Sequence, residues 1–287
     1  MTSASLPKAL TIAGSDSGGG AGIEADLKAF FALGVYGAAA ITALTAQNTL
    51  GVQGVYPVTP EFVAQQMDSV LSDIGADAAK TGMLANAAIV EAVADRVRAH
   101  GLTRLVVDPV MVAKSGDPLL APEAVQAVKR QLLPLALVVT PNLPEAEHLT
   151  GLTLEGRDAM KEAARRLHDM GVRYVVVKGG HAKTDPRRAT DLVFDGDSFV
   201  ELEAPRIATP HTHGTGCTFS AAIAAYLARG LEPLDAIRKA KAFITAAIES
   251  AVPVGHGRGP TSAWAGADLN GPGWATGRNR PLHPPAS

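Results

Sequence analysis

The segment His213-Gly214-Thr215-Gly216-Cys217 holds the single cysteine of this 287-residue chain and opens onto the alanine-rich run FSAAIAAYLA. The first N–H groups of a helix lack internal partners and carry partial positive charge. Glycines bring such donors close to an anion such as phosphate. The same field predicts a lowered pKa for the Cys217 thiol. The thiol itself reads as a nucleophile, as a group that orients or deprotonates a hydroxyl, or as a small side chain that packs there. Taken alone, the segment favours packing for the thiol and function for Gly214, Thr215 and Gly216. A covalent thiol enzyme needs a histidine nearby, and His211 and His213 are the candidates in sequence. As a zinc pair these two histidines lack convincing partners.

Charge at other loops points away from thiol chemistry. Asp108 follows RLVV, Asn142 and Glu145 stand in TPNLPE, and Lys178 stands in VVVKGGH. That set suits a metal-bound polyphosphate. Oxygen ligands on two strand ends suit Mg²⁺, which keeps several waters and takes few protein ligands. Asp108 and Glu145 are the candidate metal ligands. Each also has a plain reading, Asp108 as a turn before proline and Glu145 as a favourable charge in a first helical turn. The loop GSDSGGGAG has three readings. Gly20 to Ala25 fits the dinucleotide fingerprint G-x-G-x-x-A, but that fingerprint needs an acidic residue about 20 positions on. Between Asp26 and Glu61 there is none. A flexible turn is the second reading. The third, favoured here, has glycines closing backbone over a small substrate with Asp16 aimed inward. A Walker A motif is absent: Lys80-Thr81, Lys114-Ser115 and Lys183-Thr184 all lack the preceding glycine.

These loops need elements to position them. Strands are predicted over 9–14, 41–46, 51–58, 76–82, 104–110, 135–141 and 173–180. Several are continuous Val/Leu runs, as in parallel strands buried on both faces. Helices are predicted over 23–33, 60–73, 86–99, 122–133, 157–170, 218–228 and 233–250. ATDLVFDGDSFVELEAP reads as an antiparallel hairpin at the sheet edge. Such alternation predicts an α/β chain with a mostly parallel sheet covered on both sides. Ligands in open α/β sheets bind beyond the carboxyl ends of the strands, and five of the unusual loops fall there. Loops at the opposite ends are plain.

Composition sets bounds. Lys plus Arg is 26 and Asp plus Glu is 28, a net charge of −2, so no basic face for nucleic acid is implied. One cysteine excludes an intrachain disulfide and a Cys-based zinc cluster, which fits a reducing, cytoplasmic setting. No signal peptide is evident, and no window reaches the roughly 18 apolar residues of a membrane span. Residues 1–265 read as one domain. From Gly266 the composition shifts to Gly, Pro, Asn and Trp, which reads as a loose tail that Trp274 either pins to the body or leaves exposed.

The stretches ALTIAGSDSGGGAGIEADLKAF, ITALTAQNTLGV, KTGMLA, VVDPVMVAKSGDPLL, TPNLPEAEHLTG, VVVKGGH, HGTGCTFSAA and VGHGRGP occur in this order from about residue 10 to 260. Together they closely resemble the hydroxymethylpyrimidine/phosphomethylpyrimidine kinases of the ribokinase-like superfamily. The resemblance implies a three-layer αβα fold, a homodimer, and ATP with Mg²⁺, the part of K⁺ being left open. It implies two phosphoryl transfers, to 4-amino-5-hydroxymethyl-2-methylpyrimidine and then to its monophosphate. Gln47 would hold the pyrimidine, since an amide both donates and accepts at an aminopyrimidine edge. Gly14, Asp16, Met83 and Val110 would line the same pocket. Asn142, Glu145, Lys178 and Thr209 fall on the ATP side, with Asp108 beside them. Gly214, Thr215 and Gly216 would form the anion hole. Cys217 stands where ribokinase relatives place an aspartate base. Arg258 departs from the family pattern near its closing loop. A pyridoxal kinase of the same superfamily is the alternative, with Gln47 and Met83 as discriminators. A binding module without catalysis and a thiol hydrolase are further alternatives.

Overall fold

The structure, a computed structural model, describes residues 6–111, 122–180 and 187–266. The strands are β1 (Lys8–Asp16), β2 (Tyr36–Asn48), β3 (Gly51–Pro57), β4 (Ala78–Thr81), β5 (Leu105–Val107), β6 (Val138–Val139), β7 (Tyr174–Val177), β8 (Arg188–Phe194) and β9 (Phe199–Pro205). They form one sheet in the order β3-β2-β1-β4-β5-β6-β7-β8-β9. From β2 to β7 neighbouring strands are parallel. β3 returns antiparallel along β2, and β8 and β9 close the other edge as an antiparallel hairpin.

The side chains explain the layering. Val106, Val138 and Val176 point into one core, and Leu105, Val107, Val139, Val175 and Val177 into the other. That is the period of two of a strand, and burial on both faces is why the runs carry no polar alternation. One face is covered by α1 (Gly22–Ala32), α7 (Thr215–Ala228) and α8 (Pro233–Glu249). The other is covered by α2 (Pro60–Asp73), α3 (Ala87–Ala99), α4 (Pro122–Ala127), α5 (Leu143–Thr150) and α6 (Arg157–Asp169). The α/β class, the two covered faces and the edge hairpin agree with the expectation from sequence. Residues 218–228 of α7 are all buried. Its run of alanines lets it pack close to both α1 and α8 while resting on the sheet.

Several boundaries differ from those expected. β2 starts at Tyr36, five residues before the expected strand, because GAAA carries no β-branched signal. β6 is two residues long where seven were expected. The helix expected over 122–133 is α-helical only to Ala127 and continues as a π-turn, Val128–Leu132, before Pro134 ends it. The tail beyond the 3₁₀ turn Ala263–Gly266, Trp274 included, lies outside the described residues. So do the motif residues after Met111 and His181 of VVVKGGH.

Candidate active site

The carboxyl ends of β1, β2, β4, β5, β6 and β7 surround a cavity of about 850 Å³, and the N-terminus of α7 closes its floor. Gly14, Asp16, Gln47, Met83, Asp108, Val110, Asn142, Glu145, Lys178, Thr209, Gly214, Thr215, Gly216 and Cys217 all line it. Residues up to 203 positions apart in the chain thus meet in one place, 14 against 217.

At one end lies the loop after β1. Asp16 is 3% exposed, and its carboxylate accepts from the amides of Gly18 (2.8 Å), Gly20 (3.1 Å) and Ala21 (2.9 Å). It also bonds His213 Nε2 at 2.8 Å. Burial works to raise its pKa, but His213 and these amides outweigh it and hold the carboxyl low. Asp16 lines the cavity, and its oxygens also organise the glycine loop and fix His213. Gln47, at the end of β2, has Nε2 3.3 Å from His213 Nε2 and Oε1 3.3 Å from the Thr45 hydroxyl. A Cβ on Gly14 would come within 2.6 Å of Met83 Cε, so this glycine makes room for the methionine.

At the other end the charges gather. Asp108 Oδ1 accepts from Lys178 Nζ (2.9 Å) and the Thr140 hydroxyl (3.0 Å), and Ser220 reaches its Oδ2 at 3.3 Å. Burial alone would raise the Asp108 pKa, but Lys178 and Lys80 reverse this and the carboxyl is held low. Asn142 and Glu145 form a capping box on α5: the Asn142 side chain accepts from the Glu145 amide (2.9 Å), and Glu145 Oε2 accepts from the Asn142 amide (2.7 Å). Lys178 Nζ lies 3.8 Å from that same oxygen. Burial, with Asp108 adding repulsion against the pull of Lys178, pushes the Glu145 pKa up to about 7. Lys178 stays protonated: burial opposes its charge, and the two acids more than compensate.

Between the two ends is the α7 N-terminus. Gly214 is left-handed, with φ +72°, and a Cβ there would lie 1.8 Å from the Gly20 carbonyl oxygen. Only glycine fits. A Cβ on Gly216 would meet Lys178 Nζ at 3.4 Å and Asp108 Oδ2 at 3.5 Å, so the charged cluster stands next to the first turn of the helix.

One expectation about the thiol fails. Burial pushes the Cys217 pKa up to about 11, with Lys80 and the Gly22 amide pulling against Asp26 and Asp108. Desolvation outweighs the field of the helix terminus. Neither histidine partners the sulfur, since His213 is engaged by Asp16 and His211 Nδ1 accepts from the Gly259 amide at 3.1 Å. Sequence reasoning also missed Lys80. It lines the cavity, is 0% exposed and forms a buried pair with Asp26. The signal available was a lysine inside an otherwise apolar strand, ADAAKTG. Arg258, singled out as a departure, lines the cavity mouth, with its amide on the Thr49 carbonyl at 2.9 Å.

Asp108 and Glu145 fit a cation shared with polyphosphate rather than a protein-only cage. No group of three or more His, Cys, Asp or Glu suited to a metal occurs among the described residues. Two acids on one lysine leave a surplus negative charge, and Glu145 Oε1 has no hydrogen-bond partner among the described residues.

The phosphomethylpyrimidine kinase family model matches residues 16–262. The chain belongs to that family. The hydroxymethylpyrimidine/phosphomethylpyrimidine kinase of Rhizobium meliloti is 56% identical over 88% of this chain and 95% of its own length. That of Bacillus subtilis is 51% identical over 91% of this chain and 96% of its own. Among solved structures, an ADP complex of Bacillus subtilis pyridoxal kinase superposes with a TM-score of 0.85, at 46% identity, covering 91% of this chain and 98% of that one. A phosphomethylpyrimidine kinase is a phosphotransferase, and the cavity has one end lined by Gly14, Gln47 and Met83 and another lined by Asp108, Glu145 and Lys178.

Proposed function

We propose that the chain transfers the γ-phosphoryl group of ATP to 4-amino-5-hydroxymethyl-2-methylpyrimidine and then to the resulting monophosphate, a step of thiamine biosynthesis. One observation carries the reading: Gly214 and Gly216, at the N-terminus of α7, lie between Gln47 at one end and Lys178 with Asp108 at the other. A phosphoryl group in transit spreads negative charge over its equatorial oxygens, and preorganised donors at that point lower the barrier. Gln47, Gly14, Met83 and Val110 hold the pyrimidine. Lys178, Asn142 and Thr209 face the nucleotide. Asp108 and Glu145 would hold Mg²⁺, which would neutralise phosphate charge and complete the charge balance of the two acids. A role for K⁺ belongs to the same assay. Cys217 takes the proton of the acceptor hydroxyl.

We read residues 1–265 as one kinase domain acting as a cytoplasmic homodimer. No helix among the described residues is long and apolar enough to cross a membrane. Val55 and Tyr56 on the edge strand β3, 45% and 71% exposed, support a second copy at that edge, which the mass in solution tests. The central test is mass spectrometry of the products formed from the hydroxymethylpyrimidine and ATP with Mg²⁺. Mono- and diphosphate are expected, and recovery of unchanged pyrimidine overturns the assignment. The likeness to a pyridoxal kinase carries a second reading, and kcat/KM for pyridoxal against the pyrimidine separates the two.

A further inference from the structure

The ring end of the cavity holds a chain of hydrogen bonds, Ser15–Thr45–Gln47–His213–Asp16, whose polarity follows from its members. The Thr45 hydroxyl donates to the Ser15 carbonyl at 2.9 Å. It has one proton, so toward Gln47, 3.3 Å away, it can only accept. On the other side of the amide, His213 Nε2 lies 2.8 Å from Asp16 Oδ2 and 3.3 Å from Gln47. Burial opposes the charge on Asp16, but His213 and the loop amides outweigh it and keep the carboxyl ionised. A carboxylate only accepts, so His213 Nε2 carries the proton and donates. Gln47 thus stands between a hydroxyl that accepts and a ring nitrogen that donates. The orientation with Nε2 toward His213 sets N–H against N–H and oxygen against oxygen. Half a turn of the amide removes both conflicts without changing the shape of the side chain. The side chains of Asp16 and His213 are 3% and 16% exposed, so water does little to relieve a mismatch.

We propose that His213, fixed by Asp16, is a positioning residue that sets acceptor specificity: it locks the Gln47 amide with its oxygen toward the histidine, so that the site takes a heteroaromatic edge with a ring-nitrogen acceptor beside an amino donor and rejects the reversed edge. The inference deepens the kinase reading above and rests on it. The histidine is itself held in place. A Cβ on Gly20 would lie 2.5 Å from His213 Cδ2, so the ring packs against the glycine loop. Its backbone amide donates to the Gly259 carbonyl at 3.1 Å, and its carbonyl accepts from the Thr261 amide at 3.2 Å.

With one N–H given to Thr45 and one lone pair facing His213, Gln47 keeps one N–H and one lone pair for a ligand. These match the ring nitrogen and the neighbouring 4-amino group of the aminopyrimidine. In the 4-oxo analogue, 5-hydroxymethyl-2-methylpyrimidin-4-one, that ring nitrogen carries a hydrogen and the exocyclic atom is an acceptor. The analogue has nearly the same shape, and in the same pose it meets the locked amide with donor against donor and acceptor against acceptor. An unlocked amide would turn and take it. The lock selects one order over the other, and the substrate assignment says which.

Two measurements test this. The first needs no substrate. In protein carrying isotopically labelled histidine, nitrogen NMR should show a proton on His213 Nε2, assigned by the resonance lost in His213→Gln. A bare Nε2 overturns the proposal. The second is kinetic. For wild type we expect kcat/KM to favour the aminopyrimidine over its 4-oxo analogue by about 10³-fold or more, because the wrong edge leaves buried polar groups unpaired. His213→Phe keeps a ring against Gly20 and removes the donor. We expect its preference to narrow about tenfold or more, through a higher KM for the aminopyrimidine with kcat little changed. His213→Gln, whose amide can still donate, should retain most of the preference. In a Gln47→Ala background, His213→Phe should leave the preference where it stands, since the two residues act as a unit. A merely structural role predicts the same loss in both backgrounds and for both compounds. That result, or a His213→Phe variant with undiminished preference, overturns the proposal. Should His213→Phe fail to fold, the wild-type ring nitrogen still decides. A wild-type chain that phosphorylated neither compound would refute the substrate assignment, and the NMR measurement would still report on the lock.

Discussion

Two of the buried charge clusters that adjoin the cavity are built on opposite plans. Asp26 and Lys80 are one acid and one base, both out of contact with water, with the Thr11 hydroxyl completing the carboxylate. Asp108, Glu145 and Lys178 are two acids around one base, with part of the lysine open to the cavity. The first cluster is closed and neutral, and it acts on its surroundings only through its field. The second has one acid more than it has bases, and burial, with repulsion from Asp108 against the pull of Lys178, pushes the Glu145 pKa up to about 7. Under the proposed function, a cation and a polyphosphate would complete the charge balance of this second cluster.

The comparison breaks most sharply at Lys178. Lys178→Met removes the cation beside the α7 amides and leaves Asp108 and Glu145 facing each other. We expect kcat to fall about 10³–10⁴-fold with the pyrimidine KM nearly unchanged. Steady-state kinetics retaining a tenth of the wild-type kcat would remove Lys178 from the phosphate site. In the closed cluster the matching change acts on folding. Lys80→Met strands a buried carboxylate and is expected to cost about 3–5 kcal/mol in urea unfolding, most of which returns when Asp26→Leu is added. A double variant as unstable as the single one would show that the pair is not acting as a unit.

Gly214→Ala tests the helix terminus between the clusters. A left-handed φ and a Cβ 1.8 Å from the Gly20 oxygen predict a loss of about 2–3 kcal/mol together with weaker ATP turnover. A thermal midpoint within a degree of wild type would contradict the contact. The smallest effect has the opposite sign. The folded pKa of Glu145, about 7, lies above its ordinary value of 4.5, so the native state binds this proton more tightly than the unfolded chain. Its contribution is fully present below about pH 4.5 and is lost as the pH rises through 7. Glu145→Gln removes that loss. We expect the variant to gain about 1–2 kcal/mol over wild type at pH 8 and little at pH 4.5, while its kinase activity falls. Melting curves at the two pH values that differ equally from wild type would refute the linkage.

Much of the site was legible because its signals are local. Glu145 reads as a charge in a first helical turn, although the short helix α5 and its capping box with Asn142 were not foreseen, and Gly214 and Gly216 precede a predicted helix. The strands β5 and β7 announce themselves as apolar runs that end in Asp108 and Lys178. Other features were not legible because they depend on what lies across the fold. Asp26 and Lys80 are 54 residues apart and look ordinary until α1 packs against β4. The Cys217 thiol was expected to be acidic from its helix position, and the walls around it reverse the sign. That Asp16 organises its own loop amides and His213, 197 residues away, was not legible either.

Sequence alone therefore determined the alternation of strands and helices and the residue types at each strand end, because side-chain period, glycine freedom and capping act over a few residues. Tertiary structure decided which charges lose their water and which of them meet. Desolvation and Coulomb energy depend on distance through the fold, and neighbours along the chain do not report it.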